Sequence, residues 1–280
     1  MRLGGCLAGE FKSVEDWLRA VQDIGYKAVT FPLPPGADRY AIHEYVEAMR
    51  ENDISNAEVG AWSNPLSPDK AVREAAMRQN IAALELAEET GARCCVNIAG
   101  SLGDNWDGPD KMNLAPETFD IIVKNTRAII DAVKPVKTKY TLETMPWIFP
   151  DSPESYQSLL EAIDREAFGV HLDISNTINC PERYFGITKF IDRSFDILGG
   201  KIISIHLKDI KLSSKMTVHL DEVQPGEGDM DFARIFKRAA GLDRGVTMII
   251  EHLGSNVDYA KAYNYLRGII TEAGLDSYLC

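Results

Sequence analysis

Four residues able to ligate a divalent metal close four successive apolar runs: Glu143 after Tyr-Thr-Leu, Asp173 after Phe-Gly-Val-His-Leu, His206 within Lys-Ile-Ile-Ser-Ile-His-Leu, and Glu251 after Thr-Met-Ile-Ile. Their separations of 30, 33 and 45 residues match one strand–helix unit, or one unit with a loop insertion. Three carboxylates and one imidazole give mixed oxygen and nitrogen ligation. That suits Mn²⁺, Mg²⁺, Co²⁺ or Zn²⁺ better than Cu⁺ or an iron–sulfur cluster. An ion that accepts five or six ligands keeps positions open for water or substrate oxygens. An ion holding a carbonyl and the neighbouring hydroxyl acidifies the C–H between them. Of two glutamates on opposite sides of such a site, one can remove that proton while the other supplies one. A lone Glu or Asp at a strand end is commonly a helix cap or a loop ion-pair partner. Four together on consecutive strands predict a metal site.

The elements that must position them follow from the pattern. Strand-like runs at 2–7, 27–31, 54–60, 93–98, 139–143, 168–173, 201–207 and 246–251 alternate with helix-like runs. Several are almost continuously apolar, as expected of parallel strands covered on both faces. Helix signals lie between them: Ser13-Val14-Glu15-Asp16 at one start, Gly25 past the last apolar residue Ile24, Pro68-Asp69 opening a longer helix, and Ser152-Pro153-Glu154 opening another. The closing helix runs from Val257 to Ala273. Eight such units predict an α/β fold, a single (β/α)8 TIM barrel spanning residues 1–280 as one domain. No Gly-rich phosphate turn follows an early strand, which argues against a doubly wound sheet. The segments after the strands are long (32–38, 61–69, 99–116, 144–152, 174–183, 208–231) and the returns from helix to strand are short. The carboxyl-terminal mouth therefore carries the elaboration, where barrel enzymes keep their sites.

Composition narrows the partners. A net charge of −12 works against binding nucleic acid or anionic membrane, since phosphate contacts need clustered Lys and Arg. No apolar run reaches the length of a membrane span, and the N-terminus enters a strand-like run without a secretory pattern. Five cysteines without framework spacing fit a reducing, cytoplasmic location, with Cys94-Cys95 read as small buried hydrophobes.

The markers Leu142-Glu143, Val170-His171-Leu172-Asp173, Ile205-His206-Leu207-Lys208-Asp209, Pro225-Gly226-Glu227-Gly228-Asp229-Met230-Asp231-Phe232 and Ile250-Glu251 make the chain resemble the xylose-isomerase-like sugar isomerase and epimerase barrels. That group includes ketose 3-epimerases, hydroxypyruvate isomerase and inosose-handling enzymes, with apurinic endonucleases as distant relatives. The resemblance covers essentially the whole chain. It implies one divalent ion, Mn²⁺ first, on Glu143, Asp173, His206 and Glu251, with Glu143 and Glu251 doubling as catalytic acid and base. It also implies a small carbohydrate substrate and allows a homo-oligomer. Two positions depart from relatives. Ketose epimerases usually carry a His three residues after the aspartate, where this chain has Asn176, and the endonucleases' extra histidines are replaced by Asn176 and Lys208. The nuclease reading is set aside accordingly.

Asn176 remains able to donate to a sugar hydroxyl, and Lys208 to present a cation to a substrate oxygen, although a loop ion pair with Asp209 is an alternative role. Trp62, Trp106 and Trp147 fall in loops after strands, where indole faces can stack on a sugar ring. Glu58 is a weaker candidate for substrate contact. His171, in phase with Asp173, is expected in the barrel interior as a core histidine. His252 is expected to point away from Glu251, and His219 to approach the mouth from its long loop. The expected activity is isomerisation or epimerisation of a sugar or polyol-derived carbonyl compound. A lyase or dehydratase acting on an inosose or glycoside is the alternative, and a non-catalytic sugar-binding barrel the third.

Overall fold

The apolar runs pair as parallel strands: β1 (Arg2–Gly5), β2 (Ala28–Thr30), β3 (Ser55–Gly60), β4 (Cys94–Asn97), β5 (Lys139–Glu143), β6 (Phe168–Asp173), β7 (Ile202–Leu207) and, after an insertion, β10 (Thr247–Ile250). In the computed structural model, which describes residues 1–242 and 245–280, these eight close a barrel in the order β1-β10-β7-β6-β5-β4-β3-β2. The register sets Glu143 beside His171, Asp173 beside His206, and Ile249 beside His206. Asp173 and His206 are thus level, and Glu143 and Glu251 lie two residues offset from them, at and just past the ends of the neighbouring strands, at the same end of the ring. Gly4 is required where β1 crosses β2, because a Cβ there would stand 1.6 Å from the Ala28 carbonyl oxygen.

Around the barrel lie α1 (Val14–Ile24), α2 (Arg39–Glu51), α3 (Lys70–Thr90), α4 (Pro116–Val133), α5 (Pro153–Ile163), α6 (Ile174–Thr177), α7 (Pro181–Phe185), α8 (Ile187–Leu198), α9 (Phe232–Ala239) and α10 (Asn256–Glu272). The start signals act as expected. Ser13 Oγ accepts from the Asp16 amide, Asp69 caps α3, and Ser152 and Ser155 close a capping box on α5. Gly25 and Gly91 end α1 and α3 in the left-handed conformation. Trp17 on α1 is buried and packs edge-on against Tyr45 of α2. No helix among the described residues is long and apolar enough to cross a membrane.

Tyr156 of α5 reaches into the join between β5 and β6, the strands that end in Glu143 and Asp173. Its buried hydroxyl donates to the Leu142 carbonyl (2.7 Å) and stands 3.2 Å and 3.1 Å from the Leu142 and His171 amides. Removing it strands buried backbone groups, so Tyr156→Phe is expected to cost about 1–3 kcal/mol in chemical denaturation. A midpoint equal to that of the parent chain would show the ladder to be complete without the hydroxyl.

Two segments expected as loops carry structure. The segment after β6 folds into α6 and α7. The segment after β7 forms an antiparallel hairpin of β8 (Asp209–Leu212) and β9 (Leu220–Val223). Each hairpin strand is only four residues long, and Leu220–Val223 lacks apolar–polar alternation, so neither stands out from a loop.

Candidate metal centre and active site

The four strand-end residues converge. Glu143, Asp173, His206 and Glu251 each bring one ligand atom within 4.8 Å of the others, and all four side chains are buried. His206 Nδ1 lies 2.7 Å from Glu251 Oε1, 3.3 Å from Glu143 Oε1 and 3.9 Å from Asp173 Oδ2. Asp173 divides its work between its oxygens: Oδ1 accepts from the Asn176 amide (2.9 Å) and caps α6, while Oδ2 turns to the cluster. Its backbone is fixed by Thr144, whose hydroxyl donates to the Asp173 carbonyl (2.7 Å) and accepts from its amide (2.8 Å). Strand-end cap and candidate ligand are therefore both correct descriptions of one residue.

Lys208 is the largest departure from a loop lysine. Only 4 % exposed, it turns inward, its Nζ 2.5 Å from Glu251 Oε1, 2.9 Å from Asp173 Oδ2 and 3.3 Å from Glu143 Oε1. Asp209, its proposed partner, is engaged elsewhere. The Asp209 carboxylate accepts from the amides of Ile210, Gly226, Gly228 and Met230 at 2.9–3.0 Å. This explains the Gly-Glu-Gly-Asp run: a Cβ on Gly228 would stand 2.4 Å from Asp209 Oδ1. Asp209 thereby pins the segment leading into α9.

The charge pattern follows from burial. Burial alone would raise Glu143, but Lys208 leads the groups that hold it down to about 2. Burial would likewise raise Glu251, and His206 and Lys208 keep it well below the carboxylate range. Burial pushes Asp173 up to about 6, with Lys208 opposing the rise and Glu143 adding to it. Burial would depress His206 and Lys208, yet the surrounding carboxylates carry both well above their ordinary values. Two ionised glutamates therefore face two cations.

The donor set fits a divalent ion on its own chemistry: three carboxylates and one imidazole nitrogen. Moreover, Asp173 Oδ2 and Glu251 Oε1 are buried and share Lys208 Nζ as a close cation at 2.9 Å and 2.5 Å, a positive charge that a bound ion would supply instead. Above the cluster opens a cavity of about 480 Å³ lined by Glu143, Asn176, Lys208, Glu251, Trp62 and Trp106, among others. Asn176 Nδ2 donates to Glu143 Oε1 (3.0 Å). Trp147 lines a neighbouring cavity that shares Asn176, and its indole N–H donates to the Asp107 carbonyl (2.8 Å). Cys6 also lines the main cavity, but burial pushes its thiol up to about 12, which leaves it a poor nucleophile.

Residues 18–269 match the model of the family described as xylose isomerase-like TIM barrel. The chain belongs to that family. No curated protein matches it by sequence. Among solved structures, this xylose isomerase-like barrel is similar to an L-ribulose 3-epimerase (15% identity, TM-score 0.72, covering 99% of this chain and 95% of that one). It is similar to the probable 3-DHS dehydratase involved in petrobactin synthesis from Bacillus anthracis (15%, TM-score 0.72, 97% and 99%). It is also similar to a xylose isomerase-like protein from Mycobacterium smegmatis in complex with magnesium (15%, TM-score 0.68, 93% and 90%). At such identities the likeness is one of fold.

The remaining histidines sort by geometry. His171 lies in the barrel interior, as its strand phase requires, with its ring edge-on to His206 at 4.1 Å. His252 lines the cavity rather than turning away from it. β10 ends at Ile250, and a φ of 60° at His252 swings the ring toward Glu222 (3.1 Å), so strand alternation no longer applies. His219 is exposed between β8 and β9, outside the residues lining the cavity. Glu58 is the neighbour of the cluster that the sequence ranked low. It is 1 % exposed, lines the same cavity, and its Oε1 lies 3.2 Å from His206 Nε2.

Proposed function

We propose that this xylose isomerase-like barrel is a divalent-metal-dependent isomerase or epimerase of a sugar or polyol-derived carbonyl compound, using Glu143 and Glu251 as acid and base and Mn²⁺ as the preferred ion. The observation that carries this reading is the pair of buried, ionised glutamates from β5 and β10, set around one cation-holding cluster at the floor of an open cavity. Glu143, Asp173, His206 and Glu251 would hold the ion. When bound, it supplies positive charge beside substrate oxygens and acidifies the C–H between them. Glu251 takes that proton on its carboxylate, and Glu143, steadied by Asn176, returns one. Lys208 presents its ammonium to the developing negative charge. Trp62 and Trp106 offer apolar faces to the ring, and Trp147 extends that surface into the neighbouring cavity. The reading places the enzyme in the cytoplasm, acting on a free small carbohydrate.

A second reading rests on the likeness to the probable dehydratase. The same proton removal, followed by loss of a β leaving group, gives a lyase. Both readings are tested by incubating the Mn²⁺-loaded protein with ketopentoses and ketohexoses in D₂O. The expected result is deuterium on the carbon next to the carbonyl, in a product of unchanged formula apart from the isotope. Loss of water would select the lyase. Absence of exchange with every substrate, in protein shown to bind the ion, would reject both.

A further inference from the structure

We propose that Glu58 is a positioning residue of the metal centre, fixing the tautomer and orientation of His206 from the opposite side of the barrel; this rests on the assignment of His206 as a ligand. An imidazole that gives one nitrogen's lone pair to a metal must carry its proton on the other nitrogen. His206 Nδ1 faces the carboxylates of the cluster, so the proton belongs on Nε2. Nε2 lies 3.2 Å from Glu58 Oε1, which belongs to a residue that also lines the cavity. Glu58 comes from β3, which stands four strands from β7 either way around the ring. The two residues therefore meet across the barrel axis rather than along a shared sheet edge.

Glu58 is itself tightly held. Its Oε2 faces His171 Nε2 at 2.9 Å, and Oε1 also accepts from the Thr30 hydroxyl at 3.3 Å. A carboxylate with four lone-pair sites can accept from all three donors at once. Any proton-accepting role toward substrate would have to compete with two buried imidazoles. Glu58, His171 and His206 also have the composition of a second metal site. His206 cannot serve it, because the nitrogen turned toward Glu58 is the one that must keep its proton when Nδ1 binds the ion. With an ion held on Nδ1, Glu58 and His206 would complete a carboxylate–histidine–metal arrangement, with His171 bracing the carboxylate.

The test compares Glu58→Gln and Glu58→Leu with the parent chain. Mn²⁺ binding to chelator-stripped protein is read by electron paramagnetic resonance. The protonation of His206 is read by long-range ¹H–¹⁵N NMR on protein loaded with diamagnetic Zn²⁺. The parent should show His206 protonated on Nε2. Glu58→Leu should bind Mn²⁺ about ten- to hundredfold more weakly. Glu58→Gln, whose amide oxygen can still accept from Nε2, should recover much of the loss. A structural role alone would lower the unfolding temperature of both variants and leave the affinity unchanged. Affinity of Glu58→Leu within twofold of the parent, His206 protonated on Nδ1 in the loaded parent, or no Mn²⁺ site in the parent would each overturn the proposal. None of these readouts needs turnover, so a protein that binds Mn²⁺ as described but exchanges no substrate deuterium would reject the proposed activity and leave Glu58's role standing.

Discussion

Glu251→Gln is expected to reduce deuterium exchange into substrate by at least about 10²–10⁴-fold, measured at saturating Mn²⁺ with the far-ultraviolet circular dichroism unchanged. Glu251 lies just past the end of β10, so its side chain contributes nothing to the strand ladder. It is 8 % exposed and borders the cavity, which leaves it reachable by a substrate. Burial would by itself make its carboxyl hard to ionise, and His206 and Lys208 reverse that. The glutamate is therefore anionic at neutral pH and able to accept a proton. A glutamine keeps the volume but cannot accept one, and it would turn an amide toward two cations. Saturating metal separates the two jobs of the residue: a weaker ion is compensated by concentration, whereas a missing base is not. Exchange at the parent rate in this variant would remove Glu251 from the chemistry and leave it only as a ligand.

Most of the barrel could be read from the chain, because parallel strands buried on both faces leave unbroken apolar runs such as 168–173 and 202–207, and capping residues such as Ser13 and Ser152 mark the helices between them. The convergence of Glu143, Asp173, His206 and Glu251 was equally legible, since strand ends in such a barrel share one mouth. What escaped reading depends on distances across the ring. Nothing in the segment around Glu58 announces that its carboxylate meets histidines of β6 and β7, 113 and 148 residues away in sequence. His252 escaped because a left-handed φ at a residue other than glycine is invisible to alternation. Lys208 was legible as a candidate cation for substrate, but its contact with the three carboxylates was not, for an electrostatic reason. Its neighbour Asp209 offered a plausible ion pair, but four backbone amides engage that carboxylate and the ammonium turns to the three carboxylates inside.

That inward turn makes Lys208→Met the second decisive variant. The ammonium and a divalent ion are drawn to the same oxygens, Asp173 Oδ2 and Glu251 Oε1, which Lys208 Nζ approaches at 2.9 Å and 2.5 Å. The lysine thus acts as an internal counter-ion that metal binding must displace. Its removal has two opposed consequences. Without metal, the variant holds the buried carboxylates against His206 and the more exposed His252, and taking one partner from a buried ion pair typically costs about 3–5 kcal/mol. With metal, nothing has to be displaced, so Mn²⁺ should bind at least about tenfold more tightly. Ion at a hundred times its dissociation constant returns about 2.7 kcal/mol of that stability. The signature is a thermal unfolding temperature that falls in chelator and recovers with Mn²⁺ by a wider margin than in the parent chain. A variant with the parent's stability in chelator and the parent's Mn²⁺ affinity would mean that ammonium and ion occupy separate places. Lys208 would then keep only its role toward substrate.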